Sequence, residues 1–95
     1  MLKKMILKPK NTWNNFAHTS ELWGEILEKS KGENYVYINP CSGVFILESK
    51  ASGNLLYFEY NEDENIQKVE VQTTSKEDDG FTAFLNQLKQ KYDLA

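Results

Sequence analysis

Four short apolar runs between Tyr35 and Thr73, separated by three turn signals, limit what this chain can fold into. The runs Tyr35–Asn39, Val44–Ser49, Leu55–Tyr60 and Ile66–Thr73 are rich in β-branched and aromatic residues, the composition of strands. The first gap, Asn39-Pro40-Cys41-Ser42-Gly43, joins an Asn-Pro initiator to a glycine able to take positive φ. Lys50-Ala51-Ser52-Gly53-Asn54 is a second glycine-bearing reversal, and Asn61-Glu62-Asp63-Glu64-Asn65 is polar throughout. Connections this short make neighbouring runs pair antiparallel, so the centre reads as a four-stranded antiparallel meander over about 35–73.

A four-residue loop at each gap sets Asn39 opposite Val44, Ser49 opposite Asn54 and Asn61 opposite Ile66. Alternation then sorts the side chains onto two faces. One face gathers Val36, Ile38, Phe45, Leu47, Leu56, Phe58, Tyr60, Gln67, Val69 and Val71, and is almost wholly apolar. The other is mixed: Tyr35, Tyr37, Val44, Ile46, Glu48, Leu55, Tyr57, Glu59, Ile66, Lys68, Glu70 and Gln72. Glu59 falls opposite Lys68, a favourable cross-strand pair. A slip of one residue in any loop would exchange the faces of a whole strand.

Both flanks read as helices made to cover the apolar face. Thr12 is a suitable N-cap, and Trp13, Phe16, Ser20, Trp23 and Leu27 recur at spacings of three and four, with Ala17, Gly24 and Ile26 beside them. One helix over about 13–30 results, ending near Lys29, Lys31 and Gly32. A break at Thr19-Ser20, with Ser20 capping a shorter helix, is the alternative. Both tryptophans are expected in the core. Thr74-x-x-Glu77 and Ser75-x-x-Asp78 each resemble a capping box, whereas Gly80 points to Asp79 as the cap. Phe81, Phe84, Leu85, Leu88 and Tyr92 then define a one-sided helix over about 76–92. The expectation is an α+β fold, one domain over 1–95, with both helices on one sheet face. Met1–Lys8, carrying Lys3, Lys4 and Lys8 and followed by Lys10, is either a short edge strand or a basic arm.

Composition narrows function. Ninety-five residues allow one core and little else. The net charge of -3 comes from eleven lysines and fourteen acidic residues, with no arginine. Arginine supplies most bidentate phosphate and base contacts, so nucleic acid is disfavoured as a partner. The lone Cys41 gives no disulfide framework, and the apolar run Met5-Ile6-Leu7 is too short for a signal peptide or membrane span; a cytoplasmic, soluble protein is expected. No phosphate loop, dinucleotide-binding glycine pattern, nucleophile elbow or His/Cys metal cluster is present. Neither Glu77–Asp79 nor Glu62–Glu64 has the spacing of a calcium loop. His18 and Cys41 are too little for a thiol mechanism, so no enzyme, cofactor or metal is expected.

The mixed face remains. Left open, it presents Tyr35, Tyr37, Val44, Ile46, Leu55 and Tyr57 edged by Glu48, Glu59 and Glu70, an anchor-and-rim pattern used by protein interfaces. With the Glu62-Asp63-Glu64 loop adding charge, it suits a basic protein partner such as a toxin or nuclease-like domain. Immunity proteins against bacterial toxins and phage anti-defence proteins are often of this size and charge. A helix or the Met1–Lys8 segment crossing to this face would instead bury it, and a homodimer packing two such faces is a further use. An alternative rests on resemblance. The helix–sheet–helix order and Thr12-Trp13-Asn14-Asn15-Phe16 resemble the small Alu-RNA-binding subunits of the signal recognition particle. That resemblance implies RNA bound on a basic sheet surface, with Tyr35, Tyr37 and Tyr57 stacking bases. The corresponding face here carries Glu48, Glu59 and Glu70 against Lys68.

Overall fold

A computed structural model of the chain describes residues 3–7, 16–62 and 66–92. In chain order the elements are β1 (Lys3–Leu7), α1 (Phe16–Ser30), β2 (Tyr35–Cys41), β3 (Val44–Ser49), β4 (Leu55–Tyr60), β5 (Ile66–Thr73) and α2 (Asp79–Lys91). The expected meander forms, and Lys3–Leu7 joins it as a fifth antiparallel strand against β5, giving the sheet order β1-β5-β4-β3-β2. The chain therefore passes from one sheet edge to the other between its first two strands, with α1 in that crossing.

One face of the sheet is the core. Phe45 pairs with Phe58 and Phe58 with Val69; in the next row Leu47 pairs with Leu56 and Leu56 with Val71. All six are buried, and Leu22 and Ile26 of α1 join them with Phe81, Phe84, Leu85 and Leu88 of α2 and Tyr92 just beyond it. Both helices thus lie on the same face. Burying a large apolar side chain is worth about 1.5–3 kcal/mol, so this one cluster carries most of the favourable burial. The Phe45 and Phe58 rings stack with centroids 4.7 Å apart.

The registers of β3, β4 and β5 are those expected, with Glu59 opposite Lys68. β2 is not. Tyr35 pairs with Ser49 and Tyr37 with Leu47, one residue away from the expected alignment. The reason is the β2–β3 connection. Cys41 pairs with Val44 around a tight Ser42-Gly43 turn, Gly43 taking φ 86°, and the extra length is taken up by a bulge between Ile38 and Cys41. Pro40 cannot donate to a ladder and is tolerated in such a bulge on an edge strand. The Asn39 side-chain amide spans the irregularity, donating to the carbonyls of Cys41 and Val44. The slip turns Tyr35 and Tyr37 onto the covered face and Val36 and Ile38 onto the open one. A second bulge at Glu59/Tyr60 pairs Ile66 with Tyr60 and buries Ile66, which had been expected on the mixed face; Gln67 is exposed instead of lying in the core.

α1 runs unbroken through Thr19-Ser20, but its buried stripe is Leu22 and Ile26. Trp23, expected in the core, is 45% exposed. One residue is about 100° around a helix, so the buried stripe lies one step round from the expected one. Leu22 and Ile26 pack into the core cluster, while the half-exposed indole donates its N–H to the Tyr37 hydroxyl at 2.9 Å. Thr12 and Trp13 lie outside the described residues.

α2 buries the apolar positions expected of it, Phe81, Phe84, Leu85, Leu88 and Tyr92. Its cap is neither Thr74, Ser75 nor Asp79 but Asp78, whose carboxylate accepts the Phe81 N–H at 3.1 Å. The helices are clasped at α2's far end: the Tyr92 hydroxyl donates to Glu25, and Lys91 bridges Glu21 and Glu25 at 3.3 and 3.4 Å. Burial, then the Glu25 hydrogen bond, push the Tyr92 phenol well above its ordinary range.

Candidate interaction face

Opposite the helices, strand alternation and the observed registers build three cross-strand rows. The central row is Ile38, Ile46, Tyr57 and Glu70, from β2 to β5. Beside it run Val36, Glu48, Leu55 and Gln72, and on the other side Val44, Glu59 and Lys68. Across β2–β5 an apolar centre (Val36, Ile38, Val44, Ile46, Leu55 and the Tyr57 ring) is thus edged by three glutamates and one lysine, and β1 extends the rows by aligning Ile6 with Glu70 and Lys4 with Gln72. Within that centre Ile38 is exposed and the others are half-buried.

Tyr57 is the best-held side chain on this face. Its hydroxyl donates to Glu59 Oε1 at 2.6 Å, and Lys68 Nζ lies 5.7 Å from its ring centroid. The Glu59 hydrogen bond, then burial and the neighbouring charges, push its phenol up to about 12. At neutral pH it is therefore a neutral donor with an oriented ring. Gln72 Nε2 donates to Glu70 Oε2 at 2.8 Å, fixing a second carboxylate. A preset aromatic and oriented carboxylates lose less side-chain freedom when a partner docks.

The expected site residues divide. Ile46, Glu48, Tyr57, Glu59 and Glu70 share the open face, and Glu62 is exposed in the β4–β5 turn. Tyr35 and Tyr37 belong to the covered face. Tyr35 is buried in the core with Lys29 Nζ 5.3 Å from its ring centroid, and Tyr37 meets Trp23. Burial, then the charge of Asp78, raise the Tyr35 phenol. Asp63 and Glu64 lie outside the described residues. Val36 and Ile38 are the members that sequence reasoning missed; a proline inside a strand pattern was the sign of the bulge that turns them outward.

A second cluster sits at the opposite end of β3 from the Gly43 turn. Asp78 Oδ2 accepts from the Ser49 and Ser52 hydroxyls, at 2.5 and 2.7 Å, while Oδ1 caps α2. Asn54 Oδ1 accepts the Thr74 N–H at 2.7 Å, and the Thr74 hydroxyl donates to the Ser52 carbonyl. Ser49, Ser52 and Asn54 are buried. The serine hydroxyls give their protons to a carboxylate already engaged at a helix cap, and no imidazole takes part in these bonds. The cluster therefore ties the β3–β4 turn and the end of β5 to the start of α2.

Among the described residues, no group of three or more His, Cys, Asp or Glu side chains could hold a metal ion, and no helix is long and apolar enough to cross a membrane. No protein-family model, curated protein or solved structure matches the chain. The open face itself is what a functional reading has to stand on.

Proposed function

We propose that this chain is a small acidic binding protein that neutralises a basic protein partner through its open sheet face, in the manner of toxin-immunity or phage anti-defence proteins. The observation that carries this reading is the row Ile38–Ile46–Tyr57, an apolar centre bordered by Glu48, Glu59 and Glu70, with Lys68 the one cation that β2–β5 contribute to those rows and Lys4 of β1 aligned next to Gln72 at the far edge. Contiguous apolar surface of this kind calls for a partner. The carboxylates around it select a cationic one and speed its encounter. Tyr57 supplies the aromatic anchor that hot spots favour. The chain's net charge of -3 works in the same direction.

Capture from the source cell's lysate with the immobilised chain tests this, comparing wild type with an Ile46→Lys/Tyr57→Ala double variant. The expected result is a basic protein retained by the wild type and lost by the variant, with retention weakening as salt rises. Losing a central aromatic anchor costs about 2 kcal/mol or more, roughly thirtyfold in affinity. Replacing Glu48, Glu59 and Glu70 by Gln should chiefly slow association. An identical set of captured proteins from wild type and double variant would remove the face from consideration. Salt-sensitive retention of RNA would favour the nucleic-acid alternative.

A further inference from the structure

We propose that the free edge of β2 pairs antiparallel with the same edge of a second copy of this chain, extending the sheet across a two-fold axis. The sheet ends in two edge strands, β1 and β2. Their sequences differ in how they guard against pairing. β1 begins Lys3-Lys4, and lysine is a standard deterrent to edge association. β2, with the sequence YVYINPC, carries no charge. Pro40 and the bulge blunt its Cys41 end, but Tyr35–Ile38 keeps regular ladder register.

Exposed apolar side chains also lie at the β2 edge. Among the described residues, the exposed large apolar side chains are Trp23, at 45%, and Ile38, at 38%. They flank β2 from its two sides. Trp23 of α1 is hydrogen-bonded to Tyr37 on the covered side, and Ile38 lies on the open face opposite Ile46. An antiparallel edge is complementary to itself. A second copy would therefore bring another Trp23 and another Ile38 to the seam, covering it from both sides.

Charge separates this occupant from others. A cationic partner strand would find nothing on β2 to answer its charge, whereas a copy presents an equally neutral edge and keeps the acidic rows of Glu48, Glu59 and Glu70 on strands or positions away from the ladder. The two-fold would leave all helices on one side and join two open faces into one. The inference stands independently of the proposed function.

Sedimentation equilibrium and amide hydrogen exchange on the whole chain test it. The apparent mass should climb from 11.0 kDa towards twice that value as concentration rises, within the range below about 1 mM that covers weak association. Ile38→Lys and Trp23→Glu should each weaken association roughly tenfold or more, the scale of one lost interface anchor. In the wild type, the alternate amides within Tyr35–Ile38 that point away from β3 should gain protection with concentration while those of Lys3–Leu7 do not. A monomer over the whole range would overturn the proposal. So would a dimer whose β2 amides exchange at a concentration-independent rate, since that dimer must use another surface. The exchange measurement uses the unaltered chain, so it decides the matter even where a variant folds poorly.

Discussion

The two ends of the sheet are held in opposite ways. At one end the β3–β4 turn, the last residues of β5 and the start of α2 meet in a buried polar cluster centred on Asp78 and Asn54. Gly53 takes φ 78° there, and backbone bonds from Lys50 to Asn34 and from Gly53 to Ser49 close the turn. At the other end lie both bulges and the exposed Glu62, with a backbone bond from the Tyr60 N–H to the Gly43 carbonyl tying the two hairpin ends. Side-chain partners from distant segments define the first end; bulges and turns between neighbouring strands shape the second, with the Asn39 amide bridging one of them. Buried polar groups with full sets of partners admit one arrangement, whereas bulged ladders let a strand slip.

The largest test of that contrast is Asp78→Ala. It removes a helix cap and leaves the buried Ser49 and Ser52 hydroxyls without their acceptor, so it should lower stability by about 2–4 kcal/mol in denaturant unfolding. Glu62→Ala at the other end should leave the midpoint unchanged, and an equal loss from both would erase the distinction. Next come the two glycines, one at each end. A Cβ on Gly43 would sit 3.1 Å from the Tyr60 carbonyl oxygen, whereas on Gly53 it would meet Thr74 Cγ2 at an ordinary 3.5 Å. Both positions have positive φ, so each Ala variant pays backbone strain of about 1–2 kcal/mol. Gly43→Ala should cost the more, because a backbone oxygen cannot step aside.

The smallest effect is the pH response. The Ser49 hydrogen bond first, then that of Ser52, hold the Asp78 carboxyl below its ordinary value of 3.8. The native chain therefore binds this proton less readily than the unfolded one, and stability falls as acid is added. The contribution is whole above the ordinary carboxylate value and disappears as pH drops through the lowered native one. Asp78→Asn should flatten that acid limb, as read from urea midpoints at neutral and acid pH. An unchanged slope would show that the carboxylate's charge plays no part in the polar cluster.

The same contrast explains what the residues disclosed. The β3–β4 and β4–β5 registers follow from alternation, as does α2's stripe from Phe81 to Tyr92, because each has one apolar face and no competing pattern. β2 did not, since Asn39-Pro40 reads equally as loop or bulge and only the tight Ser42-Gly43 turn decides. α1 offered neighbouring apolar stripes, through Leu22 and Ile26 and through Trp23 and Leu27, and it is the first that packs into the core cluster. Asp78 won the cap over Thr74, Ser75 and Asp79 because Ser49 and Ser52, far away in sequence, were there to receive it. Of the open face, the acidic rim and Tyr57 were legible. Val36 and Ile38 were not, for they change sides with the slip that moves Tyr35 and Tyr37.

The placement of β1 has a bearing on how the chain assembles. Its mate is the last strand, Lys3 aligning with Thr73, while β2 through β5 each pair with a sequence neighbour. Closing so long a loop is entropically slower than zipping hairpins, so the meander forms from local contacts and the first strand docks after it. On a translating ribosome, Lys3–Leu7 must wait until Ile66–Thr73 has emerged before finding its place.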